Sequence, residues 1–175
     1  VEVEIPINKQ WYLRPFAHVG WGKELDVGDS AWVYYAGIKS QYEFPSKSKY
    51  KWYLLNSLYY AGYTPDKGRS DHLSVAEIGT EFLQPLNTAN IGGRPIDLHW
   101  KLMYAFMGND IHFNLPDGSF EPIKDQWEVG IQASFRDGPL KVWFVPVHRL
   151  GIGYRFSSSG EFSAITLSMR SWFTK

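Results

Sequence analysis

Apolar residues alternate with polar or small ones through most of this 175-residue chain. That period of two is the repeat of a β-strand, whose successive side chains point to opposite faces. From Ile96 one face reads Ile96, Leu98, Trp100, Leu102, Tyr104, Phe106 and the other Asp97, His99, Lys101, Met103, Ala105, Met107. Trp127, Val129, Ile131, Ala133 and Phe135 alternate with Glu128, Gly130, Gln132, Ser134 and Arg136. Trp11–Trp21, Trp32–Glu43, Leu150–Phe156 and Ile165–Phe173 behave alike. Two runs are less regular. Lys51–Tyr63 is apolar on both faces, so its inward side stays open, whereas in His72–Gln84 the set Glu77, Gly79, Glu81 reads as inward. In the seventh run the apolar phase switches between Val147 and Leu150, beside Pro146. Proline donates no ladder hydrogen bond, so a β-bulge is expected near Pro146–His148.

The count is about eight strands of roughly 11 to 14 residues, longer than the common soluble strand of about 5–6. Turn-forming residues fill the gaps: 23–30, 45–49, 64–71, 85–95, 109–125, 137–139 and 157–161. An even number of antiparallel strands with short connections predicts an all-β, up-and-down transmembrane barrel spanning 1–175 as one domain. A soluble lipocalin-like barrel has the same period with the apolar face inward. Three features favour the inverted arrangement. The apolar faces carry almost no charge, the opposite faces are rich in Gly, Ala and Ser, and Trp and Tyr recur near strand ends as a membrane-interface girdle requires.

Composition narrows the function classes. Eighteen Lys+Arg balance eighteen Asp+Glu, so no field of one sign favours nucleic acid. There is no cysteine, which excludes disulfides and thiolate metal sites. Aromatic residues make up 17% of the chain, yet the mean hydropathy is −0.31. No apolar run approaches the roughly 18 residues of a transmembrane helix, and the opening Val-Glu-Val-Glu-Ile-Pro does not read as a signal peptide, which fits a cytosolic protein and an exported one in mature form alike.

The stretch Arg149–Phe173 (RLGIGYRFSSSGEFSAITLSMRSWF) resembles the last hairpin of outer-membrane barrels, with Ile165, Leu167, Met169 and Phe173 at alternate positions. Gly151–Phe156 is similar to the penultimate strand of autotransporter translocator barrels, and the wider pattern resembles the solitary outer-membrane autotransporter-like barrels. The resemblance implies residence in the outer membrane of a Gram-negative-type cell, contact with outer-membrane lipid and lipopolysaccharide, and recognition of Phe173 by the barrel-assembly machinery. Thr174 and Lys175 follow that residue, a departure from the family ending.

Eight strands leave an interior that side chains can fill. The inward positions supply Arg14, Lys39, Lys101, Arg136, Arg149, Arg155 and Arg170 against Glu43, Glu77, Glu81, Asp97 and Glu128. Near balance is what a self-paired lumen network needs. A narrow anion-favouring path is the alternative. For chemistry, His72-Leu73-Ser74 resembles the His-x-Ser pair of lipid A deacylases, implying His72 as base, Ser74 as nucleophile and Glu77 as orienter. Val75 stands where that family has Asn, and the pair lies mid-chain. The reading favours a non-enzyme without cofactor or metal. Asn109–Asp125 mixes Ile111, Phe113, Leu115 and Phe120 with charges: it reads first as a segment packing over the barrel mouth, with docking of a surface or periplasmic protein partner as the alternative, and the alternation of His112 and Asn114 with Phe113 and Leu115 also allows strand extensions.

Overall fold

The alternating runs become strands in a computed structural model that describes residues 2–23, 30–67, 70–114, 120–142, 145–160 and 162–168. The strands are β1 (Ile5–Pro6), β2 (Trp11–Lys23), β3 (Ser30–Glu43), β4 (Lys51–Pro65), β5 (Asp71–Ile91), β6 (Arg94–Asn114), β7 (Phe120–Phe135), β8 (Leu140–Val142), β9 (Val145–Val147), β10 (Arg149–Phe156) and β11 (Ser163–Ser168). Nine form one antiparallel up-and-down sheet in the order β1-β2-β3-β4-β5-β6-β7-β10-β11, and β8 and β9 pair with each other. The described residues contain no helix. We call the side of the β2–β3, β4–β5, β6–β7 and β10–β11 connections the upper rim and the opposite side the lower rim.

Several boundaries differ from expectation. The two-residue β1 adds a ninth strand to the eight expected, pairing Ile5 with Leu13 and Pro6 with Tyr12. Residues 85–95, expected as a loop, are mostly strand. β5 and β6 run on with a register shift between Leu86 and Asn90, then reverse through Gly92 and Gly93 at φ 59° and 78°. Two consecutive positive φ values suit the tight turn that matches strand twist, and Gly adopts them without steric cost. As the alternation allowed, residues 111–114 extend β6 and pair with 120–123 of β7, past a register shift between Phe106 and Ile111. The expected bulge at Pro146–His148 is instead the β8–β9 hairpin, in which Pro146 faces Lys141. Each of its two strands is an edge, where a missing N–H is tolerated. No ladder joins β11 to β1 or β2 among the described residues, so the described sheet is not closed into a barrel.

The sheet is nevertheless strongly curled. Arg149 on β10 lies 2.9 Å from Glu81 on β5, although β6 and β7 stand between. In a flat sheet three strand spacings amount to roughly 14 Å. Phe162, in the β10–β11 connection, likewise packs on Val75, Met107 and Ile123 of β5, β6 and β7. The concave face is therefore an interior. On β4 it takes Tyr53, Leu55, Ser57 and Tyr59, which settles the run that the sequence pattern left open.

Glycines on the concave face permit the curling. A Cβ at Gly79 would fall on the Leu102 carbonyl oxygen, on Met103 Sδ and within 2.9 Å of Met103 Cα. At Gly20 it would meet nothing within 4 Å. Forcing a methyl against neighbouring backbone costs about 1–3 kcal/mol. Gly79→Ala should thus lower unfolding stability by about that amount, whereas Gly20→Ala leaves it nearly unchanged. Urea unfolding of the two variants, followed by tryptophan fluorescence, checks the contrast.

Candidate functional site

The two faces of the curled sheet carry opposite chemistry. Along each strand the period of two sends one set of side chains inward and the next outward, and here the inward set is charged. Glu81 on β5 is 4% exposed and accepts hydrogen bonds from Arg149 Nη1 on both carboxylate oxygens at 2.9 Å. Higher up, Lys101 Nζ lies 2.7 Å from Glu128, which also pairs with Arg155 at 2.5 Å. Glu77 accepts from Ser57 Oγ at 2.6 Å. At the lower rim Arg136 binds Asp97 at 2.6 Å and Lys51 meets Glu43 at 3.0 Å. Arg14, almost fully buried, is held by Glu2 at 3.4 Å and by Glu4. Lys39 stands 5.2 Å over the Phe16 ring. Buried charges cost several kcal/mol each unless paired and hydrogen-bonded, and the buried ones among these, Glu81, Lys101 and Arg14, each have a partner of opposite charge. Two apolar clusters stand among them: Tyr53, Leu55, Met103 and Leu83 around the level of Glu81, and Val75, Met107, Ile123, Tyr59 and Phe162 nearer the upper rim. Arg170 and Phe173 lie outside the described residues.

One arrangement inside this network has no counterpart in the sequence reading. His99 on β6, 2% exposed, contacts Glu81 Oε1 through Nδ1 at 2.9 Å and Ser134 Oγ on β7 through Nε2 at 2.8 Å. An ionised carboxylate only accepts, so Nδ1 carries the proton. In the neutral ring Nε2 is then the acceptor, and Ser134 donates to it. Gln132 on β7 extends the network by donating to Ser168 Oγ at 2.9 Å. His99 is 18 residues from Glu81 and 35 from Ser134, each on a different strand. No local motif can signal such a grouping. The only sequence signal is that all three fall on predicted inward positions.

The pair His72 and Ser74 is elsewhere. Both point to the convex face near the upper rim, where the His72 ring stacks on Tyr60 at 5.5 Å and Ser74 lies beside Ala36, Leu58, Tyr60 and Phe106. Glu77, an odd number of residues from Ser74, projects to the concave face and bonds Ser57. The geometry therefore does not bring the three candidate groups of the deacylase-like arrangement together. Among the described residues no group of three or more His, Asp or Glu could hold a metal ion.

The convex face is apolar and exposed. Leu58 is 61% accessible and Leu167 79%, with Ile38, Ile78, Leu102, Val129 and Ile152 also open. Aromatic residues with polar tips border them. Toward the lower rim, Trp11 Nε1 donates to Ser40 Oγ at 2.8 Å, Trp100 Nε1 to Gln84 at 3.2 Å, and Trp52 Nε1 to Thr80 Oγ1. Toward the upper rim Trp127 packs on Tyr104 at 4.7 Å and donates to Ser158 Oγ at 3.3 Å. Asp125 lies past the last rung of the β7–β10 ladder, at Trp127–Phe156. The Ser158 backbone N–H, 2.9 Å away, holds its carboxyl below the usual aspartate range, assisted by the Tyr104 hydroxyl at 3.3 Å. Of the segment Asn109–Asp125, residues 115–119 lie outside the described part, and the described flanks pair as strand.

No family model, curated protein or solved structure matches the chain.

The ion pair between β5 and β10 gives a test of the interior. Removing one partner of a buried pair costs about 3–5 kcal/mol because the other charge is left uncompensated. Glu81→Leu and Arg149→Met should each destabilise on that scale, and the double variant by less than the sum. A double-mutant cycle read by urea unfolding measures the difference.

Proposed function

We propose that the chain is an integral outer-membrane β-barrel whose lumen is filled by its own side chains, serving a structural, accessory or surface-interaction role rather than as an open channel. The observation that carries this reading is the inversion of polarity: ion pairs on the concave face and accessible Leu, Ile and Val on the convex one. Water on that convex face would hydrate a continuous apolar belt, which isolated soluble proteins rarely present. Hydrocarbon removes the cost. The Trp and Tyr residues with polar tips on either side of the belt are placed as interfacial girdles are, the ring in the apolar layer and the N–H or O–H at its border. A lipocalin-like soluble barrel needs the opposite distribution. The paired charges and two apolar clusters inside support a blocked lumen over an anion path.

Closure of the barrel belongs to the same proposal. The β2 edge beyond Phe16 has no described ladder partner on the β1 side, and neither does the outer edge of β11. Joining them would complete an antiparallel ring of eight strands. The resemblance of the last hairpin to outer-membrane barrels supports this end as the closing strand, and an autotransporter-like affiliation rests on that resemblance. Lipopolysaccharide outside and the assembly machinery inside are the partners it implies.

Fractionation tests the membrane assignment. The protein should sediment with outer membranes, require detergent for extraction and run faster unheated than boiled on a denaturing gel. A protein that stays soluble without detergent would overturn the reading. Leu102→Arg, in the middle of the belt, should lower folding into bilayers by about 2–4 kcal/mol. The absence of cysteine makes the seam testable separately. Among double variants joining Ala17→Cys, Val19→Cys or Trp21→Cys with Ile165→Cys or Leu167→Cys, at least one pair should oxidise to an intramolecular disulfide. If none does, the sheet is open there.

A further inference from the structure

Most of the interior network pairs cations with carboxylates, which is enough to account for it. The group Ser134, His99 and Glu81 is different because its order is directional: hydroxyl to imidazole at 2.8 Å, imidazole to carboxylate at 2.9 Å. A hydroxyl, a base and an orienter in hydrogen-bond reach is the arrangement that activates a serine. We propose that Ser134 is the nucleophile of a serine-hydrolase centre opening at the lower rim of the concave face, with small water-soluble carboxylic esters as its substrate class.

Three further features bear on that assignment. Ser134 is the penultimate residue of β7, two positions from Arg136 at the exposed lower rim, whereas His99 and Glu81 lie deeper. The nucleophile is thus the member nearest solvent, and the base and orienter are the shielded ones. Arg149, directly across the β7–β10 ladder from Ser134, grips Glu81 through Nη1. It fixes the carboxylate that fixes the imidazole. Finally, the site faces the charged interior and not the apolar belt, which selects a soluble ester over a membrane lipid.

The reaction balances with water alone. Ser134 Oγ attacks the ester carbonyl carbon as its proton passes to His99 Nε2. The C–O bond to the alcohol breaks, and His99 returns the proton to the departing alkoxide oxygen. Water then attacks the acyl-serine, gives a proton to His99, and releases the carboxylic acid as Ser134 recovers its proton. Glu81 stays ionised and holds Nδ1–H throughout.

The proposal does not depend on what covers the convex face, so its test is separate from fractionation. The purified full chain, folded as judged by its unboiled gel mobility or circular dichroism, is treated with a fluorophosphonate probe, and the adduct is located by mass spectrometry. Labelling should map to Ser134, disappear in the near-isosteric Ser134→Ala, and persist in Ser57→Ala, whose hydroxyl meets a carboxylate and no imidazole. His99→Gln should slow labelling by about a hundred-fold or more, the contribution of a general base. A second measurement covers the chance that this variant does not fold. Ser134→Cys creates the sole thiol of the chain, and at pH 7 iodoacetamide should alkylate it at least about ten-fold faster in the native protein than in urea, because His99 withdraws its proton. An unlabelled native chain, an adduct that survives Ser134→Ala, or a thiol no faster native than unfolded would each overturn the proposal.

Discussion

The contact between Arg149 and Glu81 joins strands that are three places apart in the sheet, and the architecture turns on it. A guanidinium and a carboxylate cannot meet across that interval unless the sheet rolls, and once rolled they exclude the water that would otherwise stabilise each alone. Their attraction then works in a medium of low polarity, where the pair is stronger and the unpaired alternative far worse. The concave glycines remove the obstacle on the other side of the balance, because Gly79 and Gly37 lie where neighbouring backbone leaves no room for a Cβ. Curvature, pairing and glycine placement are one constraint seen from three positions.

From that constraint follows the division of the two faces. The interior of a small rolled sheet holds few side chains, and here much of it goes to charges and hydroxyls, so the apolar residues have little room inside. They stand outside instead. An ordinary soluble fold draws its stability from burying such residues within itself. Here they lie accessible on the convex face while the charges are gathered inside, which is why a moderate mean hydropathy and a high aromatic content are compatible.

Much of this was legible in the sequence because a β-strand writes its faces in alternation. The inward sets on β5, β6, β7 and β10, and with them Glu77, Glu81, Lys101, Glu128 and Arg155, follow from the period of two. That period also separates Ser74 from Glu77, which lie an odd number of residues apart. What alternation cannot give is the partner. Glu128 serves both Lys101 and Arg155, and His99 meets Ser134, because of register and curvature, which arise only when strands are laid side by side. Turn chemistry misled in 85–95 for a related reason. Asn and Gly suggested a loop, but only Gly92 and Gly93 turn, while the pairing of Asn90 with Pro95 and Ile91 with Arg94 carries the strands past the expected end.

Arg14 gives the short first strand a weight beyond its two residues. By gripping Glu2 and Glu4, it holds β1 against the lower half of β2. In a strictly alternating order of nine strands, the first and last run in the same direction. A seam between β11 and β1 would therefore be parallel and the ring odd, whereas a seam between β11 and the free upper part of β2 is antiparallel and the ring even. One buried arginine thus decides how much of the β2 edge is left unpaired, and with it the parity of any ring into which the sheet could close.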